Sequence, residues 1–157
     1  MLSHRLVRLI ETHANALALN LSEKVRDSRQ LSEYDKVPTS ELNARVYEVY
    51  HHLSDWLLER KEQDIEVRYT AIGSRRAAQG VSLSQLIRAI VLTKQNLWEF
   101  LKRQSMADNP VEIFGEQELL QLLDQFFDSA IYYAALGYEQ TTVEHVRHGV
   151  FAAGKAR

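Results

Sequence analysis

Cysteine is absent from this chain, proline occurs twice and glycine six times in 157 residues. Without cysteine there is no disulfide, no thiolate nucleophile and no thiolate-held zinc or iron–sulfur cluster. Charge of one sign is lacking too. Lys and Arg are interspersed with Asp and Glu to a net charge of −2, which argues against a general nucleic-acid binder, since that needs a basic face. No apolar run reaches membrane-spanning length. The N-terminus lacks a signal-peptide core, because Arg8, Glu11 and His13 interrupt it; a cytoplasmic location is the expectation. What remains is an ordinary globular composition, 45% hydrophobic and 25% charged, in a length that suits one domain spanning residues 1–157.

The few prolines and glycines fall between segments of helical periodicity. A first helix is expected over about Ser3 to Arg26, with the stripe Leu6, Ile10, His13, Leu17 and Leu21. Asp27 to Pro38 reads as irregular. Thr39 or Ser40 would cap a second helix whose stripe is Leu42, Val46, Val49, Leu53, Trp56 and Leu57. The charged run Glu59 to Asp64 reads either as a junction or as the solvated continuation of one long helix. Ile65, Tyr69, Ile72 and Arg76 mark a third helix that closes at Gly80, a residue able to take the left-handed conformation. Ser82 and Gln85 have the spacing of a capping box for a fourth helix with Leu83, Leu86, Ile87, Ile90, Val91, Leu97, Trp98 and Leu101. Asp108-Asn109-Pro110 is a turn signal. The last helix is expected from near Gly115, through Leu119, Leu122, Phe126, Phe127, Ala130 and Ala134, past Gly137 toward His148. No segment alternates with period two. The fold class is therefore all-α, an antiparallel bundle of about five or six helices.

Candidate site residues follow from polar groups on apolar stripes. Arg76 shares a stripe with Ile65, Tyr69 and Ile72, and Gln79 lies about a turn beyond. An arginine so placed seeks an acidic partner, or a ligand carboxylate or phosphate; the plainer expectation is that it closes the helix end, where a cation suits the dipole. Arg75 reads as solvent-facing. Lys94 interrupts the stripe between Ile90 and Leu97, and a hairpin about Gly80 would set it against Asp64 or Glu66; the plainer reading is a lysine that snorkels from the stripe's edge. Trp56 and Trp98 read as core anchors. His13 on its stripe could ligate haem, though a satisfied core histidine is the commoner case. Glu48-x-x-His51 matches half of a di-iron bundle motif, but only one copy is present. His145 and His148, beside Glu144, could clamp a metal only with further ligands. The Phe126-Phe127 and Tyr132-Tyr133 pairs flank Ala130, Ala134, Ala135 and Gly137, small residues that admit another helix; core packing ranks first here, a homodimer seam second and an apolar ligand pocket third. No phosphate loop, nucleophile–base pair or carboxylate pair is visible, so catalysis is not expected.

Tyr50, Leu53, Trp56-Leu57, Ile65-Glu66, Tyr69, Ile72-Gly73, the run Arg76-Ala77-Ala78-Gln79-Gly80-Val81-Ser82-Leu83-Ser84, Leu97-Trp98, Leu101 and Ala130 to Ala135 together carry a resemblance. The chain resembles the N-terminal domain of the RsbT co-antagonist family (RsbR/RsbRD-type regulators), a domain also found ahead of sensor histidine kinases. The resemblance implies a non-catalytic sensory module, globin-like without haem, that holds no cofactor and dimerises. It also implies a stress-response or histidine-kinase-input role exerted through a protein partner such as a kinase, an anti-sigma factor or a STAS-domain regulator. No output domain follows Arg157, so either the chain acts through a separate partner or it is a fragment of a longer protein. The alternatives are a haem- or metal-binding helical protein using His13 or Glu48 and His51, and a binder of small apolar ligands. Arg76, Gln79 and Lys94 are the candidate ligand or partner contacts.

Overall fold

The computed structural model describes residues 4–59, 61–104 and 109–155, with the backbone alone for 54, 58 and 145–155. Its elements are α1 (His4–Thr12), α2 (Ala14–Asp27), a 3₁₀ segment (Arg29–Lys36), α3 (Thr39–Glu59), α4 (Glu62–Ala78), α5 (Leu83–Gln104) and α6 (Pro110–Lys155). No strand occurs among the described residues. The expected all-α bundle is what forms.

Several boundaries differ from expectation for local reasons. The first helix is divided at His13, whose φ of −102° and ψ of 12° leave the helical region, although the Leu17 amide still bonds the His13 carbonyl at 2.9 Å. The division lets Leu6, Val7 and Ile10 on α1 and Ala14, Leu17, Leu21 and Val25 on α2 share one core. His13 itself is exposed; its Nδ1 lies 2.9 Å from the Leu9 carbonyl and its ring is 5.5 Å from that of Phe100. Asp27 to Pro38 is mostly 3₁₀ rather than irregular, with Leu31 and Tyr34 buried. The charged run is a junction, with α3 ending at Glu59 and α4 starting at Glu62. The final helix begins five residues before Gly115, at Pro110; the Asn109 side chain accepts from the Glu112 amide at 3.0 Å and so caps it.

Two packing relations set the architecture. α1 and α2 lie against α3, and α2 also meets α5. The most extensive pairing is α4 with α6. Along it Tyr69 meets Phe126, Gly73 meets Ala134 and Val81 meets Tyr138, so the two helices run parallel with α5 returning between them in sequence. α4 buries a narrow line, Ile65, Tyr69, Gly73 and Arg76. Opposite it, Phe126, Phe127, Ala130, Ala134 and Gly137 face inward. Of the small-residue and aromatic pattern, Phe126, Phe127, Ala130, Ala134 and Gly137 are therefore spent on packing within the chain, while Tyr132 is exposed. A Cβ on Gly73 would lie 2.8 Å from the Ala134 carbonyl carbon and 2.9 Å from the Tyr138 nitrogen, and one on Gly137 would strike the Thr70 backbone. The Ser74 hydroxyl donates to the Gly137 carbonyl at 3.1 Å across the same contact.

One buried polar group ties the other half together. Asn96 is 1% exposed. Its Nδ2 donates to the Leu17 carbonyl at 3.3 Å and the Tyr50 hydroxyl at 3.2 Å, while its Oδ1 accepts from Lys24 at 2.7 Å and Asn20 at 3.3 Å. Tyr50 in turn donates to the Thr93 carbonyl at 3.0 Å. A buried network completed in this way specifies one register of α2, α3 and α5. Nothing in the periodicity of the sequence singled out Asn96.

Candidate functional site

The turn between α4 and α5 is the point where the fold converges. Gly80 has φ of +77°, its amide bonds the Ala77 carbonyl at 3.1 Å, and the Val81 amide bonds the Arg76 carbonyl at 3.1 Å. This pair of bonds is a Schellman motif, which ends a helix and satisfies its last carbonyls. Val81 is then fully buried.

Arg75 and Arg76 occupy the last turn of α4 and Glu41 the first turn of α3, each a placement its own helix dipole favours. Because α3 and α4 are joined by a very short junction, the start of one returns beside the end of the other. Arg76 Nη1 donates to Glu41 Oε1 at 3.1 Å and to Gln79 Oε1 at 2.8 Å. Gln79 Nε2 lies within bonding distance of both Glu41 oxygens, at 3.2 and 3.1 Å. Arg75 adds Nε to Oε1 at 3.0 Å and Nη2 to Oε2 at 3.3 Å. Arg76 is buried, with its side chain 4% exposed, and its guanidinium carbon sits 5.7 Å from the centre of the Tyr34 ring. The hydrogen bonds from Arg75, joined by the bond and charge of Arg76, hold the Glu41 carboxyl at about 2 although partial burial pushes it up. Burial raises the Tyr34 hydroxyl to about 12, against the pull of Arg76.

The 3₁₀ segment wraps this turn. Lys36 donates to the Gly80 carbonyl at 3.1 Å, the Glu33 carboxylate accepts from the Ser82 amide at 2.5 Å, and the Glu33 amide donates to Gln85 Oε1 at 2.9 Å. The capping box expected between Ser82 and Gln85 is thereby replaced: Glu33 caps the helix and Gln85 is spent on the segment that supplies Glu33. Arg26 braces the segment through the Tyr34 and Val37 carbonyls, both at 2.7 Å. From α6, the Tyr138 hydroxyl donates to the Val81 carbonyl at 2.7 Å.

The structure therefore brings Arg76 and Gln79 together, as expected, and closes them on an internal acid. Arg75, expected in solvent, is more than half exposed but bound to the same acid. Lys94 lies elsewhere: it pairs with Asp124 of α6 at 3.2 Å rather than with Asp64 or Glu66, since α6 packs against α5 on that side. Both partners of that pair are partly solvated, which makes it worth about 0–1 kcal/mol. Trp56 packs on the core edge-on to Phe126 at 5.2 Å, whereas Trp98 is only half-buried, with Lys102 5.9 Å from its ring centre. Glu48 pairs with Arg45 at 3.4 Å, and the His51 ring stacks on Tyr47 at 5.6 Å. Among the described residues no three His, Asp or Glu side chains gather as metal ligands; the side chains of His145 and His148 lie outside those described. Glu41, Glu33, Tyr34 and Lys36 were missed by sequence reasoning. The available signal for Glu41 was the symmetry of a hairpin centred near residue 60, which places 41 opposite 79.

Away from the clasp, α3 and α4 diverge around a groove of about 500 Å³ whose floor includes Val49, Trp56, Ile65, Tyr69 and Phe126.

These features define a class: an all-helical module whose conspicuous polar cluster is an interhelical tie at a turn. The chain belongs to the family described as the RsbT co-antagonist protein rsbRD N-terminal domain, whose model matches residues 15–149. That family comprises regulatory domains of stress-response signalling. No curated protein and no solved structure matches the chain. Among the described residues no helix is long and apolar enough to cross a membrane.

Proposed function

We propose that the chain is a single, non-catalytic sensory domain of bacterial signal transduction, of the stress-response or histidine-kinase-input type. It acts in the cytoplasm as a homodimer and through a protein partner such as a kinase, an anti-sigma factor or a STAS-domain regulator. Family membership supports the class. The observation that carries the mechanism is α6. Its first part closes the core against α4 and α5, Tyr138 sits level with the α4–α5 turn, and the same helix continues to Lys155. At 1.5 Å per residue that continuation extends about 25 Å further. A change in how α4 seats on α6 would therefore be delivered along one rigid element, provided a stimulus prefers one of two packings.

The dimer has support in the outer face of α6. Phe114, Tyr132 and Val143 are 67%, 62% and 50% exposed, and at 100° per residue they fall within about 20° of one another around the helix. A face of exposed aromatic residues at that spacing suits a second copy of the same helix. Sedimentation velocity should show a dimer. Tyr132→Glu should shift it to monomer while leaving the melting temperature nearly unchanged, because surface substitutions change stability by only about 0.5 kcal/mol. A wild-type protein that stays monomeric at high concentration would remove the dimer from the proposal. Partner contact is tested separately, by titrating purified STAS-domain or kinase partners against the wild type.

A further inference from the structure

We infer that the cavity at the centre of the bundle, where α2 to α6 meet, is a binding site for a very small apolar molecule, of the size of a diatomic gas or a two-carbon hydrocarbon. The cavity holds about 60 Å³. Leu21, Val46, Tyr69, Ile90 and Phe127 contribute to its wall, one from each of the five helices, and all five are buried. Voids larger than a water molecule are few in a packed interior, so one at the meeting point of five helices calls for an account. Ala89 supplies it. α5 fills its buried stripe with Leu86, Ile90, Leu97 and Leu101, but at Ala89 the wall receives a single methyl group.

The wall decides what can enter. By volume the cavity would admit water, but a buried water needs about two to four polar partners. The polar side chains here are engaged elsewhere. The Thr93 hydroxyl donates to the Ala89 carbonyl at 2.8 Å, Arg76 Nη1 to Glu41 and Gln79, and Arg45 Nη1 to Glu48 at 3.4 Å. Among the described residues, the buried side-chain polar atoms without a hydrogen bond lie on Trp56, Trp98 and Asp124, and none of the three borders this cavity. A space of this kind stays dry, and an apolar occupant gains dispersion contacts that an empty one forgoes. An ion or a strongly polar solute would lose its hydration and find nothing to replace it. Volume sets the upper limit: benzene occupies an apolar cavity of about 150 Å³, larger than this one.

Val49 and Ile72 border both this cavity and the groove between α3 and α4, so the way in runs past two partly buried apolar side chains. The wall also includes Tyr34 and Arg76 of the clasp and Phe127 of α6. An occupant therefore touches both the tie and the helix that leaves the bundle. The signalling consequence of that contact rests on the sensory reading above; the binding itself does not.

The test compares xenon, ethane, methanol and benzene on the intact chain. Ethane and methanol match in heavy-atom count and differ in polarity; benzene is apolar but too large. Proton–carbon correlation spectra follow the methyl groups. Xenon and ethane should each shift the methyl signals of Leu21, Val46, Leu86 and Ile90, which line the cavity, and the shifts should saturate as gas pressure rises. Methanol at the same concentration, and benzene, should leave those signals in place. Ala89→Val fills the space and should abolish the xenon and ethane response without lowering the melting temperature. Leu86→Ala widens the space and should gain a saturable response to benzene. Wild-type shifts that never saturate, a saturable response confined to other methyl groups, a methanol response equal to that of ethane, or a folded Ala89→Val that responds like the wild type would overturn the proposal. The wild-type titrations decide the matter even where a variant fails to fold. None of these readouts depends on the dimer or on a partner, so failure here is distinct from failure of the regulatory reading.

Discussion

Replacing Gly73 or Gly137 with alanine should destabilise the protein by about 3 kcal/mol or more, at the upper end of what overpacking costs. Helix propensity alone points the other way, since glycine in a helix interior is roughly 0.5–1 kcal/mol worse than alanine. The sign of the effect therefore separates local preference from tertiary contact. At Gly73 the added methyl would meet the Ala134 carbonyl and the Tyr138 nitrogen, and at Gly137 it would meet the Thr70 carbonyl. These are backbone atoms of regular helices, with no rotamer through which to yield. α4 and α6 would have to move apart along their whole seam, opening the contacts of Ile65, Tyr69, Phe126 and Phe127. For a chain of this length the melting temperature should fall by about 6–12 °C. A melt of either variant equal to or above the wild type would show that the helices do not approach this closely.

The second large effect is expected at Glu41. Glu41→Ala leaves Arg76, with its 4% exposed side chain, without its countercharge; removing one partner of a buried pair typically costs about 3–5 kcal/mol. Arg76→Ala should cost less, because Glu41 is more solvated and keeps Arg75. Urea unfolding of the two variants tests the order. If Arg76→Ala melts like the wild type but loses partner binding, Arg76 is a contact residue rather than a structural one. Acid gives an independent check. Glu41 titrates at about 2 in the fold, against an ordinary 4.5. Between those values the unfolded chain takes up a proton that the native state refuses. The clasp's contribution is thus complete above pH 4.5 and is lost as pH falls toward 2. Glu41→Gln should flatten that part of the stability profile, and an unchanged acid slope would contradict the tie.

Much of the fold was legible because its signals are local. Leu42, Val46, Leu53 and Leu57 on α3, and Leu86, Ile90, Leu97 and Leu101 on α5, recur with helical period and are buried. The Gly80 closure was read correctly because a left-handed residue after a helix has few uses. The clasp was half legible. Arg76 and Gln79 stood out as polar groups on an apolar line, but their partner lies 35 positions or more upstream and looked like an ordinary first-turn acid. The Ser82–Gln85 reading failed for a related reason: spacing proposes a bond, and a better-placed competitor, Glu33, takes it. Lys94 was assigned to the wrong neighbour because its partner depends on which helix covers that side of α5.

By itself, then, the sequence determined that this chain is helical, where most helices begin and end, and which family it belongs to, since periodicity, caps and motif residues act over a few turns. Tertiary structure alone decided that Gly73 and Gly137 mark a close parallel contact of α4 with α6, that Arg76 answers to Glu41, and that Asn96 joins three helices. Those outcomes depend on pairings between distant segments, and a period along one helix carries no information about what will face it.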